Sequence, residues 1–204
     1  DGEILMSDLP YHHNKPTSNI ADLPSHRQAM FAQMTRAHHH VMGTTVFDAL
    51  YLDHTHALTV RMLLALQLAL PQHPLMNATY DDQHGLQQHD AIHLGLAVHD
   101  GDRLYVPVIK NLVELHQADL KATIDAFKVK ARDASFTQDD LTGAHFVLSN
   151  FGIFGAGDFA TPVVVPPGLA IMAIGSAKVA PVWHGVEKTW QPKQKIPLSL
   201  SFDH

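Results

Sequence analysis

Residues 144–174 read AHFVLSNFGIFGAGDFATPVVVPPGLAIMAI, and this stretch decides the fold. Apolar and β-branched runs at 144–149, 161–165 and 169–174 are expected strands, with a glycine-rich loop at 152–157 after the first. Just upstream, 112–131 repeats apolar residues at helical spacing through Leu112, Leu115, Leu120, Ile124 and Phe127. A strand is expected at 197–202. Further upstream, Asp100-Gly101-Asp102 is a hairpin turn between strands at 91–98 and 103–109. The run 58–70 is apolar nearly all round and stops at Pro71 and Pro74, so it reads as a buried helix. A short strand at 77–80, a strand at 41–50 after Gly43 breaks the previous element, and a helix over 24–39 complete the pattern. Helices and strands are interleaved and the sheet contains hairpins, so the expectation is an α/β sandwich with a mixed sheet.

Residues 1–22, with two prolines and an isolated Ile4-Leu5-Met6 patch, read as a linker or N-terminal arm. The domain is expected over 23–204. The chain starts at Asp1 with no leader, which reads as a fragment or a mature form. No apolar run reaches the ~20 residues a spanning helix needs, so no membrane role is expected.

The chain has 204 residues, 46% of them apolar, which suits one folded domain and excludes a disordered chain. Lys+Arg 14 against Asp+Glu 20 gives a net charge of -6, which disfavours a nucleic-acid surface. The absence of cysteine excludes disulfides, a cysteine nucleophile and thiolate metal sites. Seventeen histidines outnumber the lysines and arginines together.

Three constellations could carry chemistry. Histidines at 12–13, 38–40, 54, 56 and 84–89 offer imidazoles to a metal. However, adjacent helical positions point about 100° apart, and His54 and His56 on one strand face would supply only two ligands. Solvated histidines are the plainer reading, with no metal site. A phosphate loop at 150–157 lacks the following Lys and the helix that such a loop needs; a tight turn built on glycine dihedrals accounts for it better. The third is a serine–histidine pair, Ser149 and His204, each at a strand end.

The runs LSNFGIFG (148–155), TPVVVPPGLAIMAIG (161–175), Pro181-Val-Trp183 and LSLSFDH (198–204) resemble the catalytic core of the dihydrolipoyl acyltransferases, the central components of 2-oxoacid dehydrogenase complexes. Leu23-Pro-Ser-His-Arg27, Leu75-Met-Asn77 and the 95–109 hairpin agree in order, so the likeness runs from about residue 20 to 204. The resemblance implies a chloramphenicol-acetyltransferase-like two-layer sandwich with helices on one face. It also implies a homotrimer with active sites between subunits, built into a larger core with lipoyl domains and dehydrogenase components as partners. The implied reaction moves an acyl group, acetyl above all, from a dihydrolipoyl arm to coenzyme A, both as substrates. His204 matches the family's base and Ser149 its oxyanion donor, contributed by different subunits. Arg27, Asn150 and Asp203 match orienting positions. The implied location is the bacterial cytoplasm, or else the mitochondrial matrix.

Two departures stand out. The family motif continues past the histidine as Arg-x-x-x-Asp-Gly, whose aspartate orients the arginine matched by Arg27, so the C-terminal end of the domain is expected to be missing. The 50–58 segment is also shorter than the helix many members carry there. A catalytically inactive trimeric scaffold of the same fold is therefore the second expectation, and a histidine-rich metal-binding module the third.

Overall fold

A computed structural model describes residues 25–101, 103–155 and 157–204; the segment 1–22, expected to be a linker or arm, lies outside the described residues. Helix α1 (Ser25–His40) leads into the edge strand β1 (Gly43–Leu52), followed by α2 (Leu58–Ala69). Four short strands come next: β2 (Ala78–Asp81), β3 (Gly85–Gln88), β4 (Leu94–Leu96) and β5 (Val98–Asp100). After them come β6 (Arg103–Tyr105), β7 (Val108–Ile109), α3 (Gln117–Arg132), β8 (Phe146–Asn150), β9 (Ala170–Ile174), β10 (Lys178–His184) and β11 (Thr189–Asp203).

The main sheet runs β1-β11-β9-β8-β4-β7, with β10 paired to the first half of β11. The β4–β8 and β8–β9 pairs are parallel and the others antiparallel, so the sheet is mixed. Period-two alternation sorts its two faces. Leu94, Leu96, Phe146, Leu148, Ala170, Ile174 and Ile196 are buried in the core with Leu63 and Leu66 of α2 and Leu120, Ile124, Phe127 and Ala131 of α3. The α3 residues follow the expected helical spacing, so one face of the sheet is closed by α2 and α3. The other face carries small and polar side chains: Ser149, Ala173, Ser199, Ser201 and Thr45. Thr45 and Ser201 share a hydrogen bond of 2.7 Å there, and Ala160 N–H donates to Ser199 Oγ at 3.1 Å. The loop that feeds β8 is braced by Asp140. Its carboxyl is held at about 2, chiefly by Lys130 and then by Thr137.

Several expected elements take a different form. The 161–165 run forms no strand although Val164 is buried, because Pro162 and Pro166 have no N–H to give a ladder. The 91–98 run splits into β4 and β5, with Ala97 N–H turned to Leu148 carbonyl at 2.9 Å. The 103–109 run is broken before Val108 at Pro107. The helix expected from 112 begins at Gln117, after a single turn at 112–114, since Asn111 is left-handed and Leu115 extended. His54 and His56 lie in the turn between β1 and α2, so they share no strand face. β3 and β10 were not expected; in β10, Pro181 faces Pro192, which only an edge ribbon tolerates.

Candidate active site

Ser149 is the fourth residue of β8 and Asn150 the last. Alternation turns Ser149 to the small-residue face and Asn150 toward the helices, where its Nδ2 donates to Thr59 Oγ1 at 3.2 Å. The glycine loop beyond them holds the strand end in place. A Cβ at Gly152 would overlap the Gly175 carbonyl, and one at Gly175 would overlap the Asp158 carbonyl. The backbone closes through Gly175 N–H to Pro197 carbonyl (2.8 Å) and Ser176 N–H to Gly157 carbonyl (3.1 Å). Close backbone approach at 152 and 175, with positive φ at Gly155 and Gly157, is what these glycines provide. Replacing Gly175 by alanine is expected to lower stability by about 2–3 kcal/mol, read as a fall in the urea midpoint at unchanged slope.

His204 follows β11 directly, with an exposed side chain. Its N–H donates to the Met42 carbonyl at 3.1 Å, while Met42 N–H donates to Asp203 Oδ1 at 2.8 Å. Asp203 N–H in turn donates to the Leu169 carbonyl at 2.9 Å. Asp203 thereby ties the backbone just before His204 to Met42 on one side and Leu169 on the other. A cleft of about 300 Å³ opens beside it, lined by Arg36, His40, Tyr80, Asp81, Asp82 and Asp203 among others. The backbone N–H of His84, above all, holds the Asp81 carboxyl below the ordinary carboxylate range. Arg27, exposed in the first turn of α1, has no ion-pair partner among the described residues.

One chain does not bring Ser149 and His204 together. Ser149 is level with Ala173, and Ala173 with Ser199. His204 is five residues further along β11, toward the end where β8 and β9 begin. Five residues of strand and two strand spacings separate the pair by roughly 20 Å. They occupy opposite ends of the sheet.

The histidines correct one expectation. His145 is neither solvated nor incidental: it is 8% exposed, stacked on His89 at 3.8 Å and 4.9 Å from His93. The sequence signal was its place between Ala144 and Phe146, at the entry to a buried strand. Among the described residues no three His, Asp or Glu side chains are grouped to hold a metal ion, and no helix is long and apolar enough to cross a membrane.

Residues 57–204 match the family model described as 2-oxoacid dehydrogenases acyltransferase (catalytic domain). The chain is 36% identical over 137 residues to the dihydrolipoyllysine-residue acetyltransferase component of the acetoin cleaving system of Bacillus subtilis, covering 67% of this chain and 33% of that protein. It is 35% identical over 136 residues to the succinyltransferase component of the 2-oxoglutarate dehydrogenase complex of Cupriavidus necator, covering 67% and 32%. The match thus spans about a third of the length of these relatives.

Among solved structures, the dihydrolipoamide acetyltransferase of Azotobacter vinelandii, studied for the catalytic roles of a serine, a histidine and an asparagine, matches with TM-score 0.82 at 28% identity. That match covers 96% of this chain and 88% of the other. The cubic core of a pyruvate dehydrogenase multienzyme complex matches with TM-score 0.78, at the same identity and coverage. A chloramphenicol acetyltransferase shares the fold, with TM-score 0.54 at 11% identity over 92% of this chain and 89% of that one.

Proposed function

The chain belongs to the acyltransferase family of the 2-oxoacid dehydrogenases, whose catalytic domain it matches, and we propose that it moves an acyl group between a dihydrolipoyl arm and coenzyme A. The reaction exchanges one thioester for another. The His204 imidazole takes the proton from the coenzyme A thiol, because the thiolate is the nucleophile and a free thiol near pKa 8.5 is mostly protonated at neutral pH. The thiolate attacks the acyl carbonyl on the dihydrolipoyl sulfur. Ser149 Oγ–H donates to the oxyanion that forms, the point at which preorganised donors act most strongly. Collapse breaks the old C–S bond, and the departing dihydrolipoyl sulfur recovers a proton from His204. No acyl-enzyme forms, and a chain with no cysteine suffices because both reacting sulfurs belong to substrates.

The observation that carries this reading is the strand register. With Ser149 and His204 at opposite ends of one sheet, a working pair needs the serine end of one chain beside the histidine end of another. Edge strand β1 offers a surface for such a neighbour: Val46 and Leu50 on one face and Phe47 and Tyr51 on the other are 39–51% exposed, apolar flanks of an edge unpaired among the described residues, of the kind that pairing between copies buries. A homotrimer with two-chain sites fits these features. Trimers joined into a larger core, served by lipoyl domains and dehydrogenase components in a bacterial cytoplasm, fit the multienzyme core and the bacterial relatives above. Asn150 and Asp203 fit positioning roles: the first ties the serine strand to α2, the second holds the backbone at His204. Arg27 is proposed to orient the site through a carboxylate supplied from outside the described residues.

The acyl group proposed is acetyl. Pro181-Val-Trp183 and the LSLSFDH run favour it, while acetyl- and succinyl-transferring relatives stand at nearly equal identity. The test is transfer from acetyl-CoA to dihydrolipoamide by the full-length protein, with succinyl-CoA alongside. Acetyl is expected to react faster by at least about tenfold, the scale on which pocket shape discriminates. Turnover of neither donor would leave the inactive scaffold as the correct reading, and a succinyl preference would overturn the acyl assignment.

A further inference from the structure

Three imidazoles outside the proposed chemistry meet where the β2–β3 hairpin, the lead into β4 and the start of β8 come together. His145 lies nearly face to face with His89, ring centroids 3.8 Å apart and planes at 18°, with His93 on its other neighbour contact at 4.9 Å. The His145 backbone N–H donates to the His93 carbonyl at 2.8 Å, locking the two segments together. Stacked rings cannot aim their lone pairs at one point, so the trio is no metal cage.

The surrounding hydrogen bonds fit neutral rings. The backbone N–H of Asn111 donates to His93 Nδ1 at 3.1 Å, which requires a lone pair there; a protonated ring would set hydrogen against hydrogen. Asn77 Nδ2 donates to the His89 and Ala91 carbonyls at 2.6 and 3.2 Å. This turns Asn77 Oδ1 toward His145 Nδ1, 3.3 Å away, which donates to it. His89 Nε2 is 2.8 Å from Thr79 Oγ1.

The charged groups near these elements are Asp90, exposed beside His89, the Asp81–His84 pair and Asp82 at the far end of the β2–β3 hairpin, and the Lys110–Asp139 pair beside Asn111. Among the described residues none of the three rings has an ion-pair partner. A proton added here therefore meets two other imidazoles and no counter-charge. Burial, then His89 and His93, push His145 down to about 4 against a weaker opposing pull from the Ala91 carbonyl.

The stack also supports the sheet end that carries His204. Gly168 lies so close to the His145 carbonyl that an added Cβ would stand 2.9 Å from it, and Gly168 bridges to Thr79. Tyr80 N–H donates to the Pro167 carbonyl at 2.9 Å, and the Leu169 carbonyl receives Asp203 N–H. Asp203 thus hangs from segment 167–169, which rests on the stack. We propose that His145, packed against His89 and His93, is a proton-sensitive joint: neutral, it clamps the β2–β3 hairpin and β8 to segment 167–169; protonated, it leaves the stack and loosens the seat of Asp203 and His204.

The folded-state value of His145 lies below the ~6.5 of a free imidazole, so the opened form is the one that takes up the proton. The clamp is at full strength above about pH 6.5 and weakens as pH falls toward 4, with the opening constant rising up to about tenfold per unit.

The test is peptide-resolved hydrogen exchange on the full-length protein at pH 7.5 and 5.5, normalised to the chemical exchange rate. It compares the wild type with His145→Phe, which keeps a stacking ring but takes no proton. In the wild type, protection across 78–96, 145–148 and Asp203 is expected to fall about tenfold at pH 5.5, with α3 unchanged, and His145→Phe is expected to lack that fall. Equal behaviour of the two proteins would overturn the proposal, as would a wild-type loss that is absent or extends evenly into α3. Should His145→Phe fail to fold, the wild-type contrast between the stack segments and α3 decides alone.

Discussion

Replacing His204 by alanine is expected to lower kcat for acetyl transfer by about 10²–10⁴-fold, the usual contribution of a positioned base. The KM for coenzyme A should stay within a few-fold, since the imidazole acts on the proton and contributes little to holding the substrate. The deficit has a pH signature. Without the base, reaction depends on thiolate supplied by the solvent, so the variant's rate should climb about tenfold per unit from pH 7 until the thiol pKa near 8.5. The wild type, whose base already removes the proton, should climb less. The side chain is exposed and no core residue depends on it, so stability and oligomeric state should not change. A His204→Ala protein with wild-type kcat would remove His204 from the chemistry.

Replacing Ser149 by alanine is expected to lower kcat by about 10²–10³-fold, or about 2.7–4 kcal/mol of barrier, with KM unchanged. The hydroxyl matters only once negative charge has built up on the acyl oxygen, so the loss belongs to the transition state. The pH profile should keep its wild-type shape, which separates a donor from a base. Because the loop after Ser149 is held by backbone contacts at Gly152 and Gly175, removing one hydroxyl leaves the frame intact. A variant that loses affinity instead of turnover would contradict the donor role.

The main frame of this fold is legible from residue pattern because its strong signals are local. Pro71 and Pro74 mark the end of α2, the i, i+4, i+7 spacing of Leu120, Ile124 and Phe127 marks α3, and Gly101 marks the β5–β6 turn. Features set by tertiary partners are not legible. β10 is invisible because Pro181 and Pro192 argue against a strand, and only their facing register on an edge ribbon makes them tolerable. The 161–165 run misleads in the opposite sense: its valines suit a strand, but Val164 reaches the interior from an irregular segment.

The strand-end positions of the two proposed site residues are legible in the sequence, and their relative geometry is not. Ser149 and His204 stand at strand ends as read from the pattern, but their separation depends on how β8, β9 and β11 align, which no local signal encodes. The resemblance to acyltransferases implied a site shared between subunits; the register shows that Ser149 and His204 stand apart within one chain. His145 is hidden for a related reason. Burial of a histidine depends on which rings stack against it, and His89 and His93 arrive from a different part of the chain.

The central claim is that a working site joins Ser149 of one chain to His204 of another, and subunit mixing tests it most directly. Full-length Ser149→Ala and His204→Ala proteins, each nearly inactive alone, would be dissociated together, reassembled, and assayed for acetyl transfer. Hybrid assemblies place an intact Ser149 beside an intact His204 at some interfaces, so activity should return to a substantial fraction of wild type, on the order of a quarter for random mixing. If the reassembled mixture stays at the level of the single variants while reassembled wild type is active, the two residues serve the same chain and the two-chain site is wrong.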